Sequence, residues 1–359
     1  MVLKNDVFKL IFSCLLAGLL IKAPQWLGLV TDNDGYYIKN VSISVFLGLS
    51  LFIYLTRSKI NRKQLTISLL IFTLSAVYIN LLPEVDSSDS AKLAYIHLPL
   101  FLWCLYGLIF IDFDTKDSSK RIDYLKYNGD LAILTAIILI AGLVLSILTI
   151  GLFSAIDMNI ENMYMENIGL IGIISSPIVA TYIIRNYKAV TNKIAPIIAN
   201  IFSPLVLIML VIFLIFIIPA GKDPYSDRDF LLIFNLMLLG VMAIIVFSVT
   251  GTSVNRKQGF SEWTLFILSL ITLIIDIVAL SAIIYRVGEY GFSPNRTAVL
   301  GSNLLILGNL ILITIDLYKV VIKGHELKKV ELTIAKYLPI YAAWAFLVIF
   351  LFPLLFRMR

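Results

Sequence analysis

Apolar runs of about twenty residues recur along the whole chain, each closed by a short polar segment. A bilayer core of about 30 Å needs about 20 apolar residues in helical form. By that ruler eleven spans are read, at 7–29, 38–56, 65–82, 93–112, 130–152, 168–184, 196–219, 230–249, 263–284, 298–318 and 338–356. Hydrocarbon offers no hydrogen bonds, so the backbone of each run must satisfy itself, which selects helices. The pattern predicts an all-α, polytopic transmembrane helical bundle, with residues 1–359 forming a single multi-span domain. Composition agrees: 60% of the residues are hydrophobic and 14% charged, against about 25% charged in an ordinary soluble domain. Lys22 and Pro24 interrupt the first run, which either continues through them or ends near Ile21 with an interfacial piece through Trp26; the Lys22 stem can reach the outer interface.

The net charge of +6 does not indicate a nucleic-acid partner, because the basic residues form short clusters between spans and never one continuous face. The expected partner is the lipid bilayer. With the N-terminus placed in the cytoplasm, 20 of the 29 basic residues fall on the inner side, among them Lys4, Lys9, Arg57, Arg62, Lys126, Arg185, Lys319 and Lys329. The outer segments collect Glu84, Asp86, Asp89, Asp157, Glu161 and Glu166. That bias is how multi-span proteins set their direction. The segment 319–337 is basic with an apolar side, and reads as a cytoplasmic helix lying on the anionic leaflet. Cys14 and Cys104 sit inside apolar runs and read as packing residues. Neither they nor the two histidines form a metal-ligand pattern, so no metal and no cofactor are expected.

Ionisable groups inside lipid are the candidates for chemistry. Asp276 lies deep in the ninth span, with Ser269 and Thr272 on the same helical face at spacings of three and four. It reads either as a proton- or cation-binding group facing a cavity, or as a hydrogen-bonded link between helices. In the tenth span Ser302, Asn309 and Asp316 recur every seven residues, beside Asn303, and Gly301 and Gly308 share the period. Such a stripe reads as close helix packing with hydrogen bonds across the interface, or as lining of the same site. His97 precedes Pro99 near the outer end of the fourth span, as a proton shuttle or a structural histidine. Pro177 and Pro204 predict kinks in the sixth and seventh spans.

The turn between spans nine and ten carries the most distinctive run, Tyr285-Arg286-Val287-Gly288-Glu289-Tyr290-Gly291-Phe292-Ser293-Pro294-Asn295-Arg296. Ser293 is expected to cap the tenth helix, with Pro294 at its first position. Arg286 and Arg296 beside a helix start, with Glu289 and Asn295, form either a site for a small anionic ligand on the outer face or a turn satisfied by its own groups.

Continued through Val299-Leu300-Gly301-Ser302-Asn303-Leu304, this run resembles a bacterial family catalogued as domain of unknown function 4153. The segments 201–205 and 97–100 are similar to it too, and Tyr290-Gly291-Phe292-Ser293-Pro294-Asn295-Arg296 is the most specific piece. The resemblance implies a multi-pass protein of the bacterial inner membrane and supplies no activity. Three functions stand against one another: a transporter or flippase of a small anionic or lipid-linked substrate, coupled through Asp276; a membrane-embedded enzyme acting on an envelope substrate, with the arginines holding a head group and His97 or Glu289 as base; and a non-catalytic scaffold or sensor.

Overall fold

The computed structural model describes residues 2–29, 33–83, 88–154, 159–186, 228–250 and 259–356, with isolated positions between 203 and 225. Among the described residues the secondary structure is helical throughout: α1 (Val2–Trp26), α2 (Asn33–Thr56), α3 (Arg62–Leu81), α4 (Asp89–Phe110), α5 (Ser118–Ser154), α6 (Glu161–Tyr164), a π-helical turn (Met165–Gly169) leading directly into α7 (Leu170–Asn186), α8 (Arg228–Thr250), α9 (Phe260–Tyr290), α10 (Pro294–Lys323), α11 (Lys328–Phe350) and α12 (Phe352–Leu355). Nine of the described helical segments are long and apolar enough to cross a membrane, and Met237–Val249 within α8 is a shorter apolar helix. The span expected at 196–219 lies mostly outside the described residues. Large aliphatic side chains face outward along most of these helices, Ile140, Leu145 and Ile147 on α5 among them. Contiguous apolar surface on that scale belongs against lipid, and the chain is read as a multi-pass membrane protein.

The chain divides into two compact units. The first comprises Met1–Val85, Leu98–Thr115 and Tyr127–Asn192, in which α2 packs on α1, α3 and α7. Gly48 marks the closest crossing: a Cβ there would stand 2.5 Å from Ile178 and 3.0 Å from Ala17. Tyr106, Tyr127 and Thr181 form a buried hydroxyl chain, at 2.7 and 2.6 Å, and the Thr181 hydroxyl donates to the Pro177 carbonyl at 2.8 Å. Proline cannot donate to the carbonyl four residues back. For Pro177 that carbonyl is Ile173, which accepts the Ser176 hydroxyl at 2.8 Å instead.

The same accounting decides between the two readings of the first span. α1 runs past Ile21 and through Pro24 to Trp26. The carbonyl that Pro24 leaves without a helix partner, Leu20, accepts the Tyr36 hydroxyl of α2 at 3.1 Å. Lys22 is enclosed between α1 and α2. It is fully buried, donating to Gln25 Oε1 at 2.5 Å and to the Tyr37 hydroxyl at 2.8 Å. Tyr37 in turn donates to Gln25 Oε1 at 2.8 Å, closing a triangle.

The second unit comprises Asp86–His97, Lys116–Lys126 and Lys193–Arg359. Its frame is α9, α10 and α11, consecutive helices packed as antiparallel hairpins, with α8 against them. Gly291, at φ 72°, ends α9. Ser293 Oγ then accepts the Arg296 N–H at 3.3 Å and Pro294 takes the first turn, as the sequence implies. At the other end Gly324 adopts the left-handed conformation at φ 73° and closes α10, a role glycine fills without a Cβ clash. That turn corrects the reading of 319–337 as one surface helix: the segment is the last turn of α10, the Gly324 bend and the first turns of α11. Leu93 of α4 packs with Ala298, Val348 and Phe352.

Candidate functional site

Two hairpins of matched length decide what meets in the middle of the second unit. Asp276 lies sixteen residues before Phe292 in the α9–α10 turn, and Asn309 seventeen after it. Asn309 and Tyr341 each lie sixteen residues from His325 in the α10–α11 turn. At about 1.5 Å of rise per residue, all three sit about 24 Å from their turns, at one depth near the middle of helices long enough to cross a bilayer.

Their contacts agree with that register. Asn309 Nδ2 donates to the Tyr341 hydroxyl at 3.0 Å, and the Asp276 carboxyl lies within electrostatic range of that hydroxyl. Asp276 is wholly buried and Asn309 nearly so. Among the described residues neither carboxyl oxygen of Asp276 has a hydrogen-bond partner, nor has Asn309 Oδ1. The hydroxyls sharing the Asp276 face are spent on their own helix: Ser269 Oγ donates to the Phe266 carbonyl at 2.8 Å and Thr272 Oγ1 to that of Leu268 at 2.7 Å. An ionisable group buried without a partner is costly, and at membrane depth such groups mark ion and substrate paths.

The heptad stripe of α10 is answered residue by residue from α11. Trp344 Nε1 donates to Ser302 at 3.0 Å, Asn309 bonds Tyr341, and Thr333 Oγ1 donates to Asp316 Oδ2 at 2.7 Å. Asp316 Oδ1 also pairs with Lys319 at 3.1 Å. The glycines of the stripe admit aromatic side chains. A Cβ on Gly301 would run into the Trp344 ring, and one on Gly308 would stand 2.7 Å from the Tyr337 hydroxyl. Asn303 is buried with Nδ2 unpartnered, but lies six residues nearer the Ser293 end than Asn309, about 9 Å along the axis.

The remaining candidates lie elsewhere. His97 Nδ1 donates to the Leu93 carbonyl of its own helix at 2.9 Å. Arg296 donates to the carbonyls of Tyr290 and Gly291 at 2.9 and 3.0 Å and lies over the Tyr290 ring, so it closes the end of α9. Asn295 donates to Asp89 Oδ2 at 2.7 Å, tying the start of α10 to the start of α4. Glu289 is exposed, Arg286 is half-buried, and among the described residues neither forms a hydrogen bond or ion pair. Of the two arginines flanking that turn, Arg286 is the one whose guanidinium is not engaged by it.

Sequence reasoning passed over Tyr341, Trp344 and the Lys22 triangle. Tyr337 and Tyr341, four residues apart, carry the one legible signal, since that spacing puts two hydroxyls on one helix face. No family model, curated protein or solved structure matches this chain.

Proposed function

We propose that this chain is an eleven-span transporter or flippase of the bacterial inner membrane, with its N-terminus in the cytoplasm and a small anionic or lipid-linked solute as substrate. The carboxyl of Asp276, buried near the middle of α9 with both oxygens unpartnered among the described residues, carries the reading. A carboxyl in that position can exchange a proton or cation as the helices around it rearrange, coupling an ion gradient to solute movement. Arg286 is the group best suited to meet an anion at the outer end. The resemblance of the 285–304 run to domain of unknown function 4153 supports the membrane assignment.

The direction rests on the lysine distribution. Polar contacts within each unit join ends assigned to the same side: Arg57 with Asp112 at 3.1 Å and Lys126 with Glu331 at 3.5 Å inside, Lys39 with the Leu82 carbonyl at 3.1 Å and Asn295 with Asp89 outside.

The test is uptake and export of labelled small anions and lipid-linked precursors by membrane vesicles with and without the protein. Flux dependent on the chain is expected, and Asp276→Asn, still monodisperse in detergent, should abolish it. Flux unchanged in that variant would sink the coupling role.

A further inference from the structure

The two halves of α7 are held differently. Six side chains are buried between positions 174 and 182, and none between 165 and 173. In the inner half Ile178 fills the crossing at Gly48, where a Cβ would stand 2.5 Å from it, and the Tyr182 ring lies 6.4 Å from that of Phe52. The Thr181 hydroxyl gives its proton to the Pro177 carbonyl, so it accepts from Tyr127, which in turn accepts from Tyr106. The outer half meets α1 at Gly18, where a Cβ would stand 3.3 Å from Ile171. Between the halves the Cys14 thiol shares a hydrogen bond with the Ser175 hydroxyl, a weak link for sulfur.

The boundary between the halves collects the features that bend helices: a proline, a Gly/Ser-rich turn and a nearby π-helical turn. Pro177 has no N–H for the Ile173 carbonyl, and Ser176 satisfies that carbonyl at 2.8 Å. Ile173 and Ser176 both lie on the outer side of Pro177, so their bond survives a change of angle at the proline. Among the described residues nothing lies within 4 Å of a Cβ at Gly172. No packing contact therefore accounts for a glycine that weakens the helix by about 1 kcal/mol relative to alanine. Beyond it the π-helical turn Met165–Gly169 interrupts the α-helical register a second time, a feature frequent at moving and functional parts of helices.

We infer that residues 165–171 are an arm that swings about a hinge at 172–177, while the inner half of α7 stays fixed in the first unit. The inference is independent of the transport reading, whose Asp276 belongs to the second unit. Ile168 lies nine residues before Pro177, about 14 Å along the axis. A swing of about 20°, the onset of a sharp kink, moves it by about 5 Å.

The experiment uses the full chain in lipid nanodiscs, with Cys14→Ser and Cys104→Ala, and reads distances between nitroxide pairs by double electron–electron resonance. Ile168→Cys with Leu81→Cys reports on the arm, and Arg185→Cys with Lys59→Cys on the fixed half; all four positions are exposed. The arm pair should give a distribution about 5 Å broader than the inner pair. In Gly172→Ala/Pro177→Ala it should narrow to the width of the inner pair. Gly172→Ala alone, at an unobstructed position, should narrow it in part, which covers the case in which Pro177→Ala fails to fold. An arm pair as narrow as the inner pair, or a breadth unchanged in Gly172→Ala, would overturn the inference.

Discussion

Asn309 and Tyr341 stand sixteen residues either side of His325 and meet through a 3.0 Å hydrogen bond between the amide and the hydroxyl. The turn sets the register, and the register brings a polar pair from two helices to the depth of Asp276. Interhelical hydrogen bonds in membrane proteins contribute about 0.6 kcal/mol each. A double-mutant cycle with Asn309→Leu and Tyr341→Phe, read by unfolding in detergent, should give a coupling energy of about that size; additive losses would mean that the pair does not interact.

Gly301 and Gly288 should respond to alanine with opposite signs. Gly301 is overlain by the Trp344 ring, while among the described residues nothing lies within 4 Å of a Cβ at Gly288. Gly301→Ala should destabilise by about 1–3 kcal/mol, the usual cost of overpacking, and Trp344→Leu in the same chain should recover most of it. Gly288→Ala, inside a helix and unobstructed, should stabilise by up to about 1 kcal/mol. Melting temperatures of the four proteins check both.

The Lys22 triangle predicts an asymmetry between its members. Tyr37→Phe leaves a buried ammonium with one acceptor fewer and should destabilise by about 1–3 kcal/mol. Lys22→Met keeps the volume, removes the charge and leaves Tyr37 bonded to Gln25, so it should be neutral or stabilising. Denaturant unfolding of the two variants decides it. A larger loss from Lys22→Met would show that the charge itself holds α1 on α2.

Cysteine accessibility tests the orientation. In a background with Cys14 and Cys104 replaced by alanine, Phe292→Cys and Glu326→Cys place thiols at exposed positions in the two turns of the second unit. A membrane-impermeant maleimide on intact cells should label the first and reach the second only after permeabilisation. The opposite result would invert the topology.

Much of this protein is legible without coordinates. Twenty-residue apolar runs leave helices as the only stable form in hydrocarbon, and Ser293-Pro294 states its own helix start, because capping is chemistry between near neighbours. Asp276 stands out from composition alone, since an acid in a run of Leu and Ile is costly wherever the run packs. What the tertiary structure decided was partnership. Whether Pro24 ends a helix depends on Tyr36 being there to accept the role of donor to Leu20, and whether Lys22 is exposed depends on Tyr37 and Gln25. Whether Gly301 invites a backbone or an indole depends on Trp344, forty-three residues away. Each is a contact between helices. Periodicity reports which face of a helix is apolar or polar, but which neighbour that face meets is set by turn geometry and packing depth.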